Sequence, residues 1–325
     1  MLTAPEFNKK QILWVFSNEG DKLSFHNDNL VVKNKEGNIK FQLTCYRIYM
    51  IFVVGHTVVT SELIKNSQKF GFAICLMTPT LKLYQIIGGY TEGNTMLIKR
   101  QYQYSDLDIG IHIIKNKIYN QRAVLKTFRY KSQLILESIE KMGEYIEKLN
   151  TPKLSLTEIM GIEGVASKVY FTHIFNNTEW SGRKPRIKND YVNATLDIGY
   201  NILFNIIDAL LASYGFDRYV GVLHKCFYMR KSLVCDIIEP FRPIIDKKIR
   251  KAISLNQCKE EDFKILNNAY LLEWKENTKY VKFILESILE YKENIFYYVQ
   301  GYYRAFMKGK NAEEFPVFYI DKVWL

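Results

Sequence analysis

Gly88-Gly89-Tyr90-Thr91-Glu92-Gly93-Asn94 divides this sequence into two parts of different period. Its three glycines and one asparagine favour turns over either regular structure, so the stretch reads as a domain boundary. Towards the N-terminus lie short runs rich in Val, Ile, Phe and Tyr: Ile12 to Phe16, Asn29 to Lys33, Ile39 to Thr44, Tyr46 to Val54, Phe72 to Met77 and Lys82 to Ile87. Turn-forming stretches such as Asn18-Glu19-Gly20-Asp21, His26-Asn27-Asp28 and Lys35-Glu36-Gly37-Asn38 separate several of them, the mark of a small β-sandwich or barrel. One helix is expected to interrupt the strands near Ser61 to Asn66. Towards the C-terminus the apolar residues recur at helical steps, as in Leu125, Phe128, Leu134, Leu136, Ile139 and Met142, and again in Ile202, Leu203, Ile206, Ile207, Leu210 and Leu211. The expected fold is α+β: an N-terminal small β-sandwich or barrel domain over residues 1–92, then a larger all-α domain over 93–325.

The chain of 325 residues is 48% hydrophobic and 14% aromatic, which excludes a disordered or collagen-like protein. Its 45 Lys and Arg against 34 Asp and Glu give a net charge of +11, the balance of a protein that meets a polyanion. Lys, Ile, Asn and Tyr are all abundant, as an AT-rich coding sequence would also produce, so charge alone does not choose between these origins. Cys45, Cys75, Cys226, Cys235 and Cys258 are odd in number and contain no CxxC pair, which argues against a disulfide framework and a zinc ribbon. No apolar run reaches the ~18–20 residues of a membrane span, and the N-terminus lacks a signal-peptide pattern. A cytoplasmic protein with no membrane partner is expected.

Three segments of the helical part carry chemistry. In Met160-Gly161-Ile162-Glu163-Gly164 to Tyr170-Phe171, Glu163, Ser167 and Tyr170 share one helix face, and the small neighbours of Glu163 admit another backbone or a ligand. The competing reading of Glu163 is a first-turn acid facing the helix dipole. In Tyr219-Val220-Gly221-Val222-Leu223-His224-Lys225, His224 follows an apolar stretch, where a core histidine is equally at home. In Ser232 to Pro243, Asp236 and Glu239 lie three apart among apolar residues, so two carboxylates on one face call for a compensating cation. Pro240 and Pro243 cannot donate to the carbonyls of Asp236 and Glu239, which predicts a kinked helix walling a site. Glu163, His224 and Glu239, with Asp236 adjacent, are oxygen and nitrogen donors without a thiolate, a set suited to Mg²⁺ or Mn²⁺.

These blocks resemble the CRISPR-associated spacer-acquisition integrase, the larger of the two nucleases of the adaptation module. The resemblance rests on Glu163-Gly164 to Tyr170-Phe171, on Asn193-Ala194 and Gly199-Tyr200, on Leu223-His224, and on Ser232-Leu233 to Asp236, Glu239 and Phe241-Arg242. It implies metal ligands at Glu163, His224 and Glu239, and a further acidic position near the metal at Asp236. The loop before Asn193 departs from the family pattern in having a single proline, Pro185, where a pair is common.

The implied activity is that of a metal-dependent DNA endonuclease and integrase. It inserts short foreign DNA fragments into a CRISPR array by attack of a 3′-hydroxyl on a phosphodiester. Arg183, Lys184, Arg186 and Lys188 form a compact basic run, and Lys225, Arg230, Lys231 and Arg242 flank the acids; both groups are candidates for phosphate contacts with double-stranded DNA, the captured fragment and the repeat. The resemblance further implies a homodimer joined through the β domains and a small second adaptation protein in a heterocomplex. Two other classes remain: a non-catalytic DNA-binding or assembly subunit, and a divalent-metal hydrolase of another substrate. Tyr291, Tyr298, Tyr302 and Phe306 form a helical stripe expected to serve as core or subunit contact, and His26, His56, His112 and His173 are expected to be structural.

Overall fold

A computed structural model describes residues 7–89, 91, 93–176, 178, 180–224 and 227–322. The first eighty or so of these form β1 (Gln11–Ser17), β2 (Lys22–His26), β3 (Asn29–Lys33), β4 (Ile39–Thr44), β5 (Ile48–Gly55), β6 (Val58–Val59), helix α1 (Ser61–Phe70), β7 (Ala73–Met77) and β8 (Leu83–Ile87). They make two four-stranded sheets, ordered β1-β5-β7-β8 and β4-β3-β2-β6. Leu23, Leu30 and Val32 of one sheet and Ile51, Val53 and Ile74 of the other share a single apolar cluster, closed by Leu63 of α1, so the two sheets sandwich a core. β5 runs parallel to β1 and to β7. Every residue of β5 but Gly55 is buried, which explains its unbroken apolar run Ile48 to Val54. β2 is missing from the expected strands, although the turn that closes it was legible: Asn27 and Asp28 both take positive φ, 46° and 58°, as a two-residue hairpin turn requires.

The helical part contains α2 (Thr95–Gln103), α3 (Asp108–Lys126), α4 (Gln133–Lys148), α5 (Leu156–Ile174), α6 (Tyr191–Ser213), α7 (Ser232–Ile238), α8 (Arg242–Ser254), α9 (Asn277–Leu289) and α10 (Lys292–Lys308). It is not all-helical. Phe263–Leu266 and Ala269–Leu272 pair as an antiparallel hairpin, β9 and β10, turned by Asn267 and Asn268 at φ 51° and 59°. α6 has the length and apolarity of a membrane span, contrary to the expectation that no run is long enough. Since 78% of its apolar window is buried inside the protein, it is the core helix of a globular unit.

The chain divides into two compact units, Met1–Thr95 with Asp208–Phe216, and Met96–Ile207 with Asp217–Leu325. The first therefore takes in the last turns of α6: Thr91 N–H and Oγ1 donate to the carbonyls of Ala212 and Ser213, and Tyr49 OH lies 3.3 Å from Ser213 Oγ. Of the boundary stretch, Tyr90 and Glu92 lie outside the described residues. In the second unit α3 is central and carries a buried polar ladder. Asn116 and Asn120 both donate to the carbonyl of Phe318, Asn120 also donates to that of Pro240 at 3.0 Å, and both accept from the backbone of the 318–320 segment. Tyr291, Tyr298, Tyr302 and Phe306 are buried core.

Candidate active site

α7 and α8 are joined by a 3-10 turn, Glu239–Phe241. The two prolines act as expected on the carbonyls, and the freed groups are taken up locally: Glu239 N–H donates to Asp236 O, and Arg242 N–H donates to Glu239 O. The turn sends the two acids to different partners. Asp236 is fully buried, and its Oδ2 accepts from the backbone N–H of Val222 at 2.7 Å and Leu223 at 3.1 Å. Its Oδ1 accepts from His224 N–H at 3.0 Å and lies 2.6 Å from His224 Nδ1. A carboxylate only accepts, so Nδ1 carries the hydrogen and Nε2 of the neutral ring keeps its lone pair. Gly221 makes this possible, because a Cβ there would stand 2.5 Å from Asp236 Oδ2. Asp236, expected beside a metal, has its described bonds committed to holding the His224 loop.

Glu163 lies in the middle of α5, which starts one to two turns earlier at a capping box of Ser155 and Glu158. It is therefore not a first-turn acid. Ser167 Oγ donates to Glu163 Oε1 at 3.0 Å, and a Cβ added at Gly161 or Gly164 would meet nothing within 4 Å among the described residues, so the face of α5 that carries the two glycines is open there. The residue that brings Glu163 and Glu239 together was not foreseen. Lys117 of α3, largely buried, pairs with Glu163 Oε1, and its Nζ lies 2.6 Å from Glu239 Oε2. Arg242 Nε donates to the other oxygen, Glu239 Oε1, at 2.9 Å. Burial pushes the Glu239 carboxyl up, but the Arg242 guanidinium and the Lys117 ammonium outweigh it and hold the group at about 2. Burial pushes the Lys117 ammonium down, and Glu239 and Glu163 reverse that and hold it above its ordinary range.

Among the described residues no three His, Cys, Asp or Glu side chains gather tightly enough to cage an ion. The donor chemistry nevertheless fits a hard divalent cation: an ammonium already bridges Glu163 and Glu239, and Glu239 Oε2, although buried, receives no aligned hydrogen bond.

The basic residues divide. Arg183 is committed: its guanidinium donates to Asp197 Oδ1 at 2.5 Å and to Asn193 Oδ1 at 2.9 Å. Buried Asn193 organises the loop, accepting also from Lys184 N–H and donating to Gly182 O and Asp190. Tyr200 lies under both Arg183 and Arg242, with its ring centroid 5.3 and 4.7 Å from their guanidinium carbons, and its hydroxyl donates to buried Asp246. Burial pushes the Asp246 carboxyl up to about 6 against the Tyr200 and Tyr170 hydroxyls and the Arg242 guanidinium. Lys184 and Arg186 are exposed, and Lys188, Arg230 and Lys231 are half-buried. Lys225 lies outside the described residues.

Residues 14–285 match the family model described as CRISPR associated protein Cas1. The chain is 28% identical over 257 residues to the CRISPR-associated endonuclease Cas1 1 of Thermodesulfovibrio yellowstonii, an alignment covering 75% of this chain and 78% of that relative. Among solved structures, a chain of a Cas6-RT-Cas1–Cas2 complex superposes with a TM-score of 0.78 at 20% identity, over 97% of this chain and 36% of the longer one. A casposase bound to integration product superposes with a TM-score of 0.74 at 20% identity, over 97% of this chain and 96% of that chain. At such identities these two likenesses concern the fold.

Proposed function

This chain belongs to the Cas1 family, and from that premise we propose that it is a divalent-metal-dependent DNA endonuclease and integrase that inserts short DNA fragments into a CRISPR array. The observation that carries the reading is the meeting of Glu163 and Glu239 on one cationic centre, Lys117 Nζ, beside a histidine whose tautomer is fixed. Glu163, His224 and Glu239 are the residues that would hold Mg²⁺ or Mn²⁺. When bound, such an ion lowers the pKa of an attacking hydroxyl and neutralises charge at the phosphorus.

The protein's own groups do the rest. Arg242 keeps Glu239 ionised, and Asp236 keeps His224 in one tautomer and orientation. Lys184, Arg186, Lys188, Arg230 and Lys231 neutralise backbone phosphates of double-stranded DNA, while Arg183 fixes the loop that presents the first three. The reaction forms a phosphorus–oxygen bond to the 3′-oxygen of the fragment and breaks the bond to the 3′-oxygen of the repeat. A proton leaves the attacking hydroxyl and another is taken up by the departing oxygen, so one phosphodiester replaces another without an external energy source. The same proposal includes a cytoplasmic location, a homodimer formed through the β domain of residues 1–92, and a small second adaptation protein. What supports the last is the fold shared with a chain of a Cas6-RT-Cas1–Cas2 complex.

Joining of end-labelled DNA in Mn²⁺ or Mg²⁺ tests the reading. Glu163→Gln and His224→Ala should each lose roughly a hundredfold or more in rate. Neutralising Lys184 and Arg186 together should weaken binding to all sequences and flatten the salt slope by roughly 0.9 for each phosphate left without its cation. Undiminished joining by both active-site variants would sink the catalytic reading and leave an assembly subunit.

A further inference from the structure

Gly199 and Tyr200 lie where α6 packs against α8. A Cβ at Gly199 would collide with the side chain of Ile245, so its absence lets the two helices approach closely. That approach seats the buried Tyr200 ring beneath the first residue of α8, with the Arg242 guanidinium carbon 4.7 Å from the ring centroid. The Tyr200 hydroxyl donates to Asp246 Oδ1, one turn further along α8. The same helix therefore carries the cation that the ring meets and the buried carboxylate that anchors the ring.

Arg242 needs such a hold. Among the described residues its guanidinium makes one hydrogen bond, from Nε to Glu239 Oε1 at 2.9 Å. The Lys117 ammonium, on the other oxygen of that carboxylate, repels it. A long side chain with one bond and a like charge nearby swings out to water unless a second contact fixes it. Arg183, 5.3 Å from the same ring centroid, has no such need, because Asp197 and Asn193 both accept from it. We propose that Tyr200 is a positioning residue: its ring holds the Arg242 guanidinium with Nε aimed at Glu239 Oε1, which fixes the carboxylate and leaves Oε2 to the cation shared with Glu163. This rests on the reading of the chain as a metal-dependent enzyme that joins DNA. In this role Tyr200 acts through Arg242 alone.

The test compares Tyr200→Leu with Tyr200→Phe, since both lose the hydroxyl and only the first loses the ring. In metal-free protein containing ¹⁵N-arginine, the Nε–H signal identified by its loss in Arg242→Gln should persist in Tyr200→Phe and vanish by solvent exchange in Tyr200→Leu. In single-turnover joining at saturating DNA and Mn²⁺, Tyr200→Leu should be roughly three- to thirtyfold slower than Tyr200→Phe, with equal DNA affinity. Combined with Arg242→Gln, the two variants should join at equal rates; combined with Arg183→Gln, they should still differ. A merely structural loss would persist in both backgrounds. If Tyr200→Leu does not fold, Tyr200→Phe is compared with the same variant carrying a pentafluorinated ring, which keeps the size and removes the attraction of the ring face for a cation; the same differences are expected. Equal Nε–H signals or equal rates overturn the proposal. So does a ring effect that survives Arg242→Gln or disappears with Arg183→Gln. If wild type joins no DNA, the enzyme reading fails instead, and the Nε–H signal still decides whether the ring holds Arg242.

Discussion

Replacing Lys117 by methionine removes one positive charge and little volume, and it should be among the most informative changes in the protein. At 2.6 Å from Glu239 Oε2 the ammonium gains on the order of 6 kcal/mol of Coulomb energy at an effective dielectric near 20, with Glu163 adding more. Desolvating the ammonium cancels several kcal/mol of this, and removing one partner of a buried ion cluster typically costs about 3–5 kcal/mol. For a unit of this size that is a fall of about 6–10 °C in melting temperature without metal. The two carboxylates then face each other with only Arg242 to offset them, so a divalent cation should be bound more tightly than in wild type, where it must displace an ammonium. Thermal unfolding in EDTA and across a Mn²⁺ titration, with calorimetric affinities, reads both effects. We expect the variant to be the less stable protein in EDTA and to gain at least tenfold in Mn²⁺ affinity, or about 1.4 kcal/mol. A variant as stable as wild type in EDTA, with no larger response to Mn²⁺, would refute the view that Lys117 holds the two acids together.

Asp236→Asn places an NH₂ group opposite backbone or imidazole N–H donors whichever way the amide is turned. It should cost about 1–3 kcal/mol and, by releasing His224, about 10- to 100-fold in metal affinity; unchanged affinity would mean that Asp236 does not position the imidazole. Asp246, whose carboxyl is pushed up to about 6 by burial, binds a proton in the folded state at pH values where the unfolded chain has released it. Its contribution to stability is therefore present below pH ~4 and lost as pH rises through ~6, about 3 kcal/mol in all. Denaturant melts of Asp246→Asn should lack this decline, and a decline of the same size in the variant would assign it to other groups.

The sandwich and the helical unit were legible because β5 and α6 carry long uninterrupted signals of the right period. Parallel pairing of β5 with β1 and β7 was not, since it is fixed by crossovers between strands distant in sequence, which leave no local pattern. β2 was passed over because Lys22-Leu23-Ser24-Phe25-His26 alternates without forming an apolar run, and the β9–β10 hairpin had its signal in Asn267-Asn268, a pair suited to positive φ. Glu163, His224 and Glu239 stood out by residue type and motif, and Pro240 and Pro243, which follow Glu239, correctly marked a break in the helix there. Lys117 was hidden by its type, since a lysine in a helix ordinarily belongs to the solvated face. A usable sign was its spacing: it stands three and four residues from Ile114 and Ile113, on the stripe that a buried helix turns inward. Arg183 was assigned to DNA on charge alone, which does not show that Asp197 lies opposite.

The membership of Asp208–Phe216 in the first unit bears on how the protein is made. On the ribosome the strands of that unit emerge early, yet its last piece follows roughly a hundred residues after Thr95, a delay of about 5–20 s at ordinary elongation rates. Through that interval the sheets are present while the carbonyls of Ala212 and Ser213, the acceptors of Thr91, are not yet synthesised. Nascent chains released shortly before residue 208 should therefore be the most chaperone-dependent and protease-sensitive, and those extended beyond residue 216 should lose that sensitivity in the N-terminal strands.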